Sequence, residues 1–210
     1  SYLFHPHAPK RVAKALPHTK LIVLLRNPID RAYSQYHHSL ELGYETLPFE
    51  EAIEGEEERT AKEREKVLQD EAYESYAYKH LSYLTRGIYV DQLRVWMDLF
   101  PREQFLILKS EEFYTDPGAS LKQVLTFLNL PEMETQVLPT ESAHTVPQTA
   151  SAQGKRASAV AGSHSQVRKK EYKQYNNTTY SKMDPALRKR LIEYFEPHNA
   201  RLYDFLGVDF

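Results

Sequence analysis

Apolar and polar positions along this chain follow strand-like and helical patterns. Leu21 to Leu25 is an unbroken apolar run, the pattern of a central strand covered on both faces. Arg26, Asn27 and Pro28 end it. Pro28 pushes Asn27 out of helical geometry, and Asp30 is placed to cap a new helix on which Tyr33, Tyr36, His37 and Leu40 recur until Gly43. Pro48 opens a short helix. Glu54 to Gln69 carries mixed charges at separations of three and four residues, which predicts a solvated helix or a mobile excursion. Tyr73, Tyr76, Ala77, His80, Leu81 and Leu84 share a helical stripe broken at Gly87, and Tyr89, Leu93, Trp96 and Met97 form the next.

A second short strand is expected over Gln104 to Leu108. Asp116 and Pro117 then supply N-cap and N1 for a helix with Leu121, Val124, Leu125 and Leu128 inward. The segment between the two strands is long enough for a parallel pair, so the order is β-helix-β-helix. Asp184 and Pro185 open a last helix, which Pro197 should interrupt before Leu202, Phe205 and Leu206 resume the packing up to Gly207. Between Pro131 and Tyr180 the pattern loosens into a long loop, basic between Lys155 and Lys173.

Composition narrows the class. A chain of 210 residues with 41% apolar residues suits one α/β domain, here expected over 1–210 with a mobile loop at 131–180. A formal charge of -2 carries no global polyanion signature, and the aromatic residues are dispersed along helices, so nucleic acid is not an expected partner. The absence of cysteine excludes disulfides, zinc-thiolate sites and cysteine nucleophiles. A reducing, cytoplasmic setting without membrane insertion is the expectation.

The candidate chemistry lies at the first strand end. Arg26 stands where open α/β sheets bind ligands, and Ser34 is read as one turn inside the following helix. Charge, hydroxyl donor and helix dipole together suit a phosphate. Residue types alone favour an ordinary structural unit. His37, His38 and His80 are the candidate acid–base groups in range, each read first as a packing histidine. His5 and His7 lack a third ligand, so no metal is expected.

Arg26 and Ser34 within LLRNPIDRAYSQY resemble the 3′-phosphate motif of sulfotransferases that use 3′-phosphoadenosine 5′-phosphosulfate (PAPS), closest to the heparan-sulfate-type branch and its bacterial relatives. Gly87-Ile-Tyr-Val-Asp-Gln-Leu93 and the stretch from Tyr194 to Gly207 are similar to the same family. The resemblance implies a P-loop-NTPase-like three-layer α/β fold with a central parallel sheet, and sulfuryl transfer from PAPS to an acceptor hydroxyl or amine. Adenosine 3′,5′-bisphosphate would be the product. It also implies that Lys173, Asn177, Thr178 and Tyr180 belong to a loop closing over the nucleotide. The family's first strand, its 5′-phosphosulfate loop and its catalytic base are expected upstream of Ser1. The acceptor is unspecified. A non-catalytic nucleotide-binding fragment and a P-loop kinase are the alternatives, the second disfavoured by the lack of GxxxxGK[ST] in this chain.

Overall fold

The computed structural model describes residues 2–131 and 180–207. Its chain order is α1 (Ala8–Ala15), β1 (Leu21–Leu25), α2 (Pro28–Glu41), α3 (Phe49–Glu54), α4 (Glu56–Gln69), α5 (Tyr76–His80), α6 (Tyr89–Met97), β2 (Phe105–Lys109), α7 (Ser110–Thr115), α8 (Pro117–Leu128) and α9 (Pro185–Leu206). β1 and β2 pair in parallel with Leu21 opposite Phe105 and Leu25 opposite Lys109, so both strands end at the same edge. The expected β-helix-β-helix order is therefore present.

Leu25, Val23 and Ile107 pack with Tyr89, Val90 and Leu93 of α6 and Leu202 of α9, while Leu21 and Phe105 meet Ala8, Val12, Trp96 and Phe100. These two clusters put α1, α6 and α9 on one face of the strand pair. A further core joins α2, α3 and α9 through Ile29, Ala32, Tyr36, Phe49, Ile53, Leu191 and Phe195. α8 packs against β2, leaving Ile22 and Leu24 of β1 45% and 46% exposed. The expectation of a strand covered on both faces is thus corrected. Among the described residues one face of β1 is packed and the other is largely open.

Three further expectations change. The charged segment does form α4, but Glu56 at its start is only 3% exposed. Its carboxylate accepts from the backbone N–H groups of Tyr83, Leu84 and Thr85 and from the Thr85 hydroxyl, at 2.6–3.0 Å. The stripe from Tyr73 to Leu84 is helical only over Tyr76–His80, where Ser75 caps Tyr78 N–H. Glu56 draws Tyr83 to Thr85 out of helical pairing, and a single 3-10 turn follows at Thr85–Gly87. Pro197 lies inside an unbroken α9, because the helix keeps burying Leu191 and Phe195 before the proline and Leu202 after it. Packing outweighs the lost backbone hydrogen bond.

Other local readings match the structure. Asp116 caps Ala119 N–H, Asp184 caps Ala186 and Leu187 N–H, and Gly43 takes φ +71° just past α2. No helix among the described residues is long and apolar enough to cross a membrane.

Candidate functional site

The site begins at the common carboxyl edge of β1 and β2. Arg26 is exposed there, and its guanidinium makes no hydrogen bond or ion pair with another described residue. Asn27 has φ -45° and ψ 121°, the extended conformation that a following proline imposes. That geometry makes Asn27, rather than Asp30, the N-cap of α2. Its Oδ1 accepts from Ile29 N–H at 3.0 Å and Asp30 N–H at 3.3 Å, with Pro28 at N1. Asp30 instead forms a paired contact with Arg188 of α9, at 2.7 and 3.3 Å, tying the start of the last helix to this unit.

Ser34 is the seventh residue of α2, deeper than a single turn. A rise of about 1.5 Å per residue puts it about 9 Å along the axis from Pro28. Its hydroxyl makes no hydrogen bond to a described residue. Arg26 and Ser34 thus belong to one strand–turn–helix unit and make no hydrogen bond to each other.

Beside Arg26 opens a cleft of about 230 Å³, lined by Asn27, Pro28, Tyr89, Lys109, Glu111 and, from α9, Asn199, Leu202 and Tyr203. Tyr89, Glu111, Asn199 and Tyr203 were not among the sequence candidates. Parallel pairing was the available signal, since it brings the residues that follow β2 beside those that follow β1. Tyr89 donates its hydroxyl to the Arg26 carbonyl at 2.9 Å. Glu111 accepts the Asn27 N–H at 2.8 Å and the Ser110 hydroxyl at 3.1 Å. Burial pushes the Tyr89 phenol above its ordinary pKa, so it is a protonated donor.

Behind the turn lie two more guanidinium groups. Arg31 donates to Gln35 and to the Tyr83 carbonyl, and Arg86 to the carbonyls of Tyr78 and Lys79. Burial lowers both pKa values, that of Arg86 to about 10, with Arg31 the next cause there, and nearby Glu56 opposes the shift in each. Both remain cationic at neutral pH.

The histidines do not converge. His37 stacks face to face on Tyr180, with ring centroids 4.3 Å apart and planes 7° from parallel, and Tyr33 meets it edge-on at 4.4 Å. Its Nε2 is buried without a hydrogen-bond partner, and burial lowers its pKa. A neutral imidazole in an aromatic nest fits packing. His38 is exposed on the neighbouring position of α2. His80 packs against Tyr44 at 4.2 Å and Tyr76 at 5.0 Å, with its pKa lowered first by burial and then by Lys79 and Arg86. Tyr180 is placed on His37, one turn beyond Ser34, and Tyr33 donates to the Ser181 carbonyl at 3.0 Å. Lys173, Asn177 and Thr178 lie outside the described residues.

Comparison with known proteins extends across this arrangement. The profile of the sulfotransferase domain family matches residues 2–205. The chain is 28% identical over 211 residues to the bifunctional heparan sulfate N-deacetylase/N-sulfotransferase 1 of Caenorhabditis elegans, covering 98% of this chain and 21% of that protein. It is also 28% identical to human heparan sulfate glucosamine 3-O-sulfotransferase 3B1, covering 100% of this chain and 47% of the relative. The crystal structure of a sulfotransferase from Alicyclobacillus acidocaldarius superposes with a TM-score of 0.64 at 28% identity, over 100% of this chain and 63% of the other. The chain therefore spans from a fifth to under two thirds of the length of these relatives, and its layered parallel α/β architecture is that of the solved enzyme. On a match that runs through both strands, the Arg26 turn and the last helix, the chain belongs to the sulfotransferase domain family.

Proposed function

We propose that this chain carries the 3′-phosphate end of a PAPS site and takes part in sulfuryl transfer from PAPS to a hydroxyl or amine, with adenosine 3′,5′-bisphosphate released. The observation that carries this reading is Arg26, a guanidinium with no protein partner among the described residues, at a strand end that leads directly into a capped helix. The donor set fits the ligand. A phosphate offers acceptor oxygens to the guanidinium and, along α2, to the free Ser34 hydroxyl, and its charge is favoured near the amino-terminal end of the helix. Tyr180 brings the chain back beside α2 one turn past Ser34, and the proposal extends to Lys173, Asn177 and Thr178, which precede it in sequence.

PAPS, when bound, supplies the activated sulfuryl group. In this reading the described residues bind and orient the nucleotide, and His37 and His80 are packing groups while His38 faces solvent. The relatives are named as a heparan sulfate N-sulfotransferase and a heparan sulfate glucosamine 3-O-sulfotransferase, which supports a sugar amine or hydroxyl as the acceptor.

Calorimetric titration of adenosine 3′,5′-bisphosphate and of adenosine 5′-monophosphate tests the reading. The bisphosphate is expected to bind more tightly, and Arg26→Ala should remove most of the difference. Because Arg26 is exposed, the loss belongs at the low end of a charge-assisted bond, about 1.5 kcal/mol or roughly tenfold. Equal binding of the two nucleotides by the unaltered chain would refute the assignment.

A further inference from the structure

The peptide group between Arg26 and Asn27 is gripped at both ends by side chains from elsewhere in the fold. Its oxygen is the Arg26 carbonyl, which accepts from the Tyr89 hydroxyl at 2.9 Å. Its N–H belongs to Asn27 and donates to Glu111 Oε1 at 2.8 Å. A trans peptide is planar, with its carbonyl and N–H pointing in opposite directions. One hydrogen bond at each end therefore fixes the rotation of that plane, which sets ψ of Arg26 and φ of Asn27 together.

Each clamp is itself held. Tyr89 is buried at the start of α6 against Leu25, and the second oxygen of Glu111 takes the Ser110 hydroxyl at 3.1 Å. Glu111 lines the same cleft as Arg26. It accepts from the backbone N–H and from Ser110, and among the described residues no carboxylate pairs with the Arg26 guanidinium.

We infer that Tyr89 and Glu111 are positioning residues for the phosphate site: by locking the 26–27 peptide plane they fix how the chain leaves Arg26, and so where the amino-terminal end of α2 lies relative to the guanidinium. The inference rests on the proposed nucleotide reading, which it deepens. Neither residue needs to touch the ligand for the effect. A loose peptide plane lets the start of α2 shift relative to Arg26, and the ligand must then pay the ordering cost on binding.

The test titrates adenosine 3′,5′-bisphosphate and adenosine 5′-monophosphate into the whole chain and into Tyr89→Phe, Glu111→Ala and Glu111→Gln, each alone and combined with Arg26→Ala. Tyr89→Phe and Glu111→Ala should each reduce the preference for the bisphosphate by about three- to tenfold, the worth of one hydrogen bond, with monophosphate affinity unchanged. Glu111→Gln should stay within about twofold of the parent, since its amide oxygen still accepts the Asn27 N–H. In the Arg26→Ala background the same changes should have no further effect. A preserved preference in both Tyr89→Phe and Glu111→Ala, or an equal loss for both nucleotides, overturns the inference while leaving the nucleotide assignment standing.

If the parent shows no preference, the nucleotide reading fails and the clamp is judged on its own motion. The 15N order parameter of the Asn27 amide should then fall from about 0.85 toward 0.6 in Glu111→Ala. An unchanged order parameter overturns the positioning role as well.

Discussion

Replacing Glu56 offers the sharpest test of how the segment behind the site is held. Its two carboxylate oxygens divide four donors evenly: Oε2 takes Tyr83 and Leu84 N–H at 2.9 and 2.6 Å, and Oε1 takes Thr85 N–H and Oγ1 at 3.0 and 2.7 Å. Counting each as a charged bond at about 1.5–3 kcal/mol would give roughly 6–12 kcal/mol, too much, because water can replace part of what is lost. Leu84 and Thr85 are partly exposed and regain water in Glu56→Ala, whereas the Tyr83 amide is buried. Leaving that amide unpaired, removing a buried carboxylate beside Arg31 and Arg86, and opening a void should together cost about 3–5 kcal/mol.

Glu56→Gln should be milder. Its amide oxygen can keep Tyr83 and Leu84, its NH2 can donate to the Thr85 hydroxyl once that rotates, and only Thr85 N–H is stranded, for about 1–3 kcal/mol. Urea unfolding at neutral pH gives both values, and hydrogen exchange should show amides 83–85 losing protection in Glu56→Ala. A change below about 1 kcal/mol in Glu56→Ala, or a Gln variant less stable than the Ala variant, would show that the carboxylate does not organise this segment.

Two other perturbations probe the same framework. A Cβ on Gly87 would lie 2.9 and 3.0 Å from ring carbons of Phe195 and 3.0 Å from Pro28 Cβ, so Gly87→Ala should lower stability by about 1–3 kcal/mol. Adding Phe195→Leu should couple with it by about 1 kcal/mol in urea unfolding, and strict additivity would contradict the steric account. Glu63 pairs with Lys66 and accepts from Ser75 and Tyr73, which hold its pKa near 2 instead of 4.5. A depressed pKa in the folded state stabilises fully above about 4.5 and progressively less as pH falls toward 2. The stability gap between the parent and Glu63→Gln should therefore narrow over that range, and a gap independent of pH would refute it.

Local signals were legible where the partners lie a few positions apart. Pro28, Asp116-Pro117 and Asp184-Pro185 marked helix starts correctly, and Gly43 an end, because caps and left-handed residues act within one turn. Even so, the cap at α2 was assigned to Asp30, since Asn27 and Asp30 both have the chemistry and only the proline-imposed backbone separates them. Glu56 was unreadable for a different reason. It stands among charged residues that are mostly exposed, and its donors come 27 to 29 positions later. Pro197 failed as a breaker because burial on both sides of it is a property of the assembled core.

The site shows the same division. The place of Arg26 at a strand end was legible, while the grip on its peptide by Tyr89 and Glu111 depends on α6 and β2 being brought to the same edge. That grip also gives the stretch Gly87-Ile-Tyr-Val-Asp-Gln-Leu93 a physical meaning. Gly87 leaves room for Pro28 and Phe195, and Tyr89 holds the Arg26 carbonyl. Gln92 Nε2 donates to the carbonyls of Arg86 and Ile88 at 2.9 and 3.1 Å, closing the 3-10 turn, and Leu93 is fully buried beneath the strands. Gly87, Tyr89 and Gln92 thus support the turn that presents Arg26. These contacts concern the shape of the turn, so the motif carries no information about an acceptor.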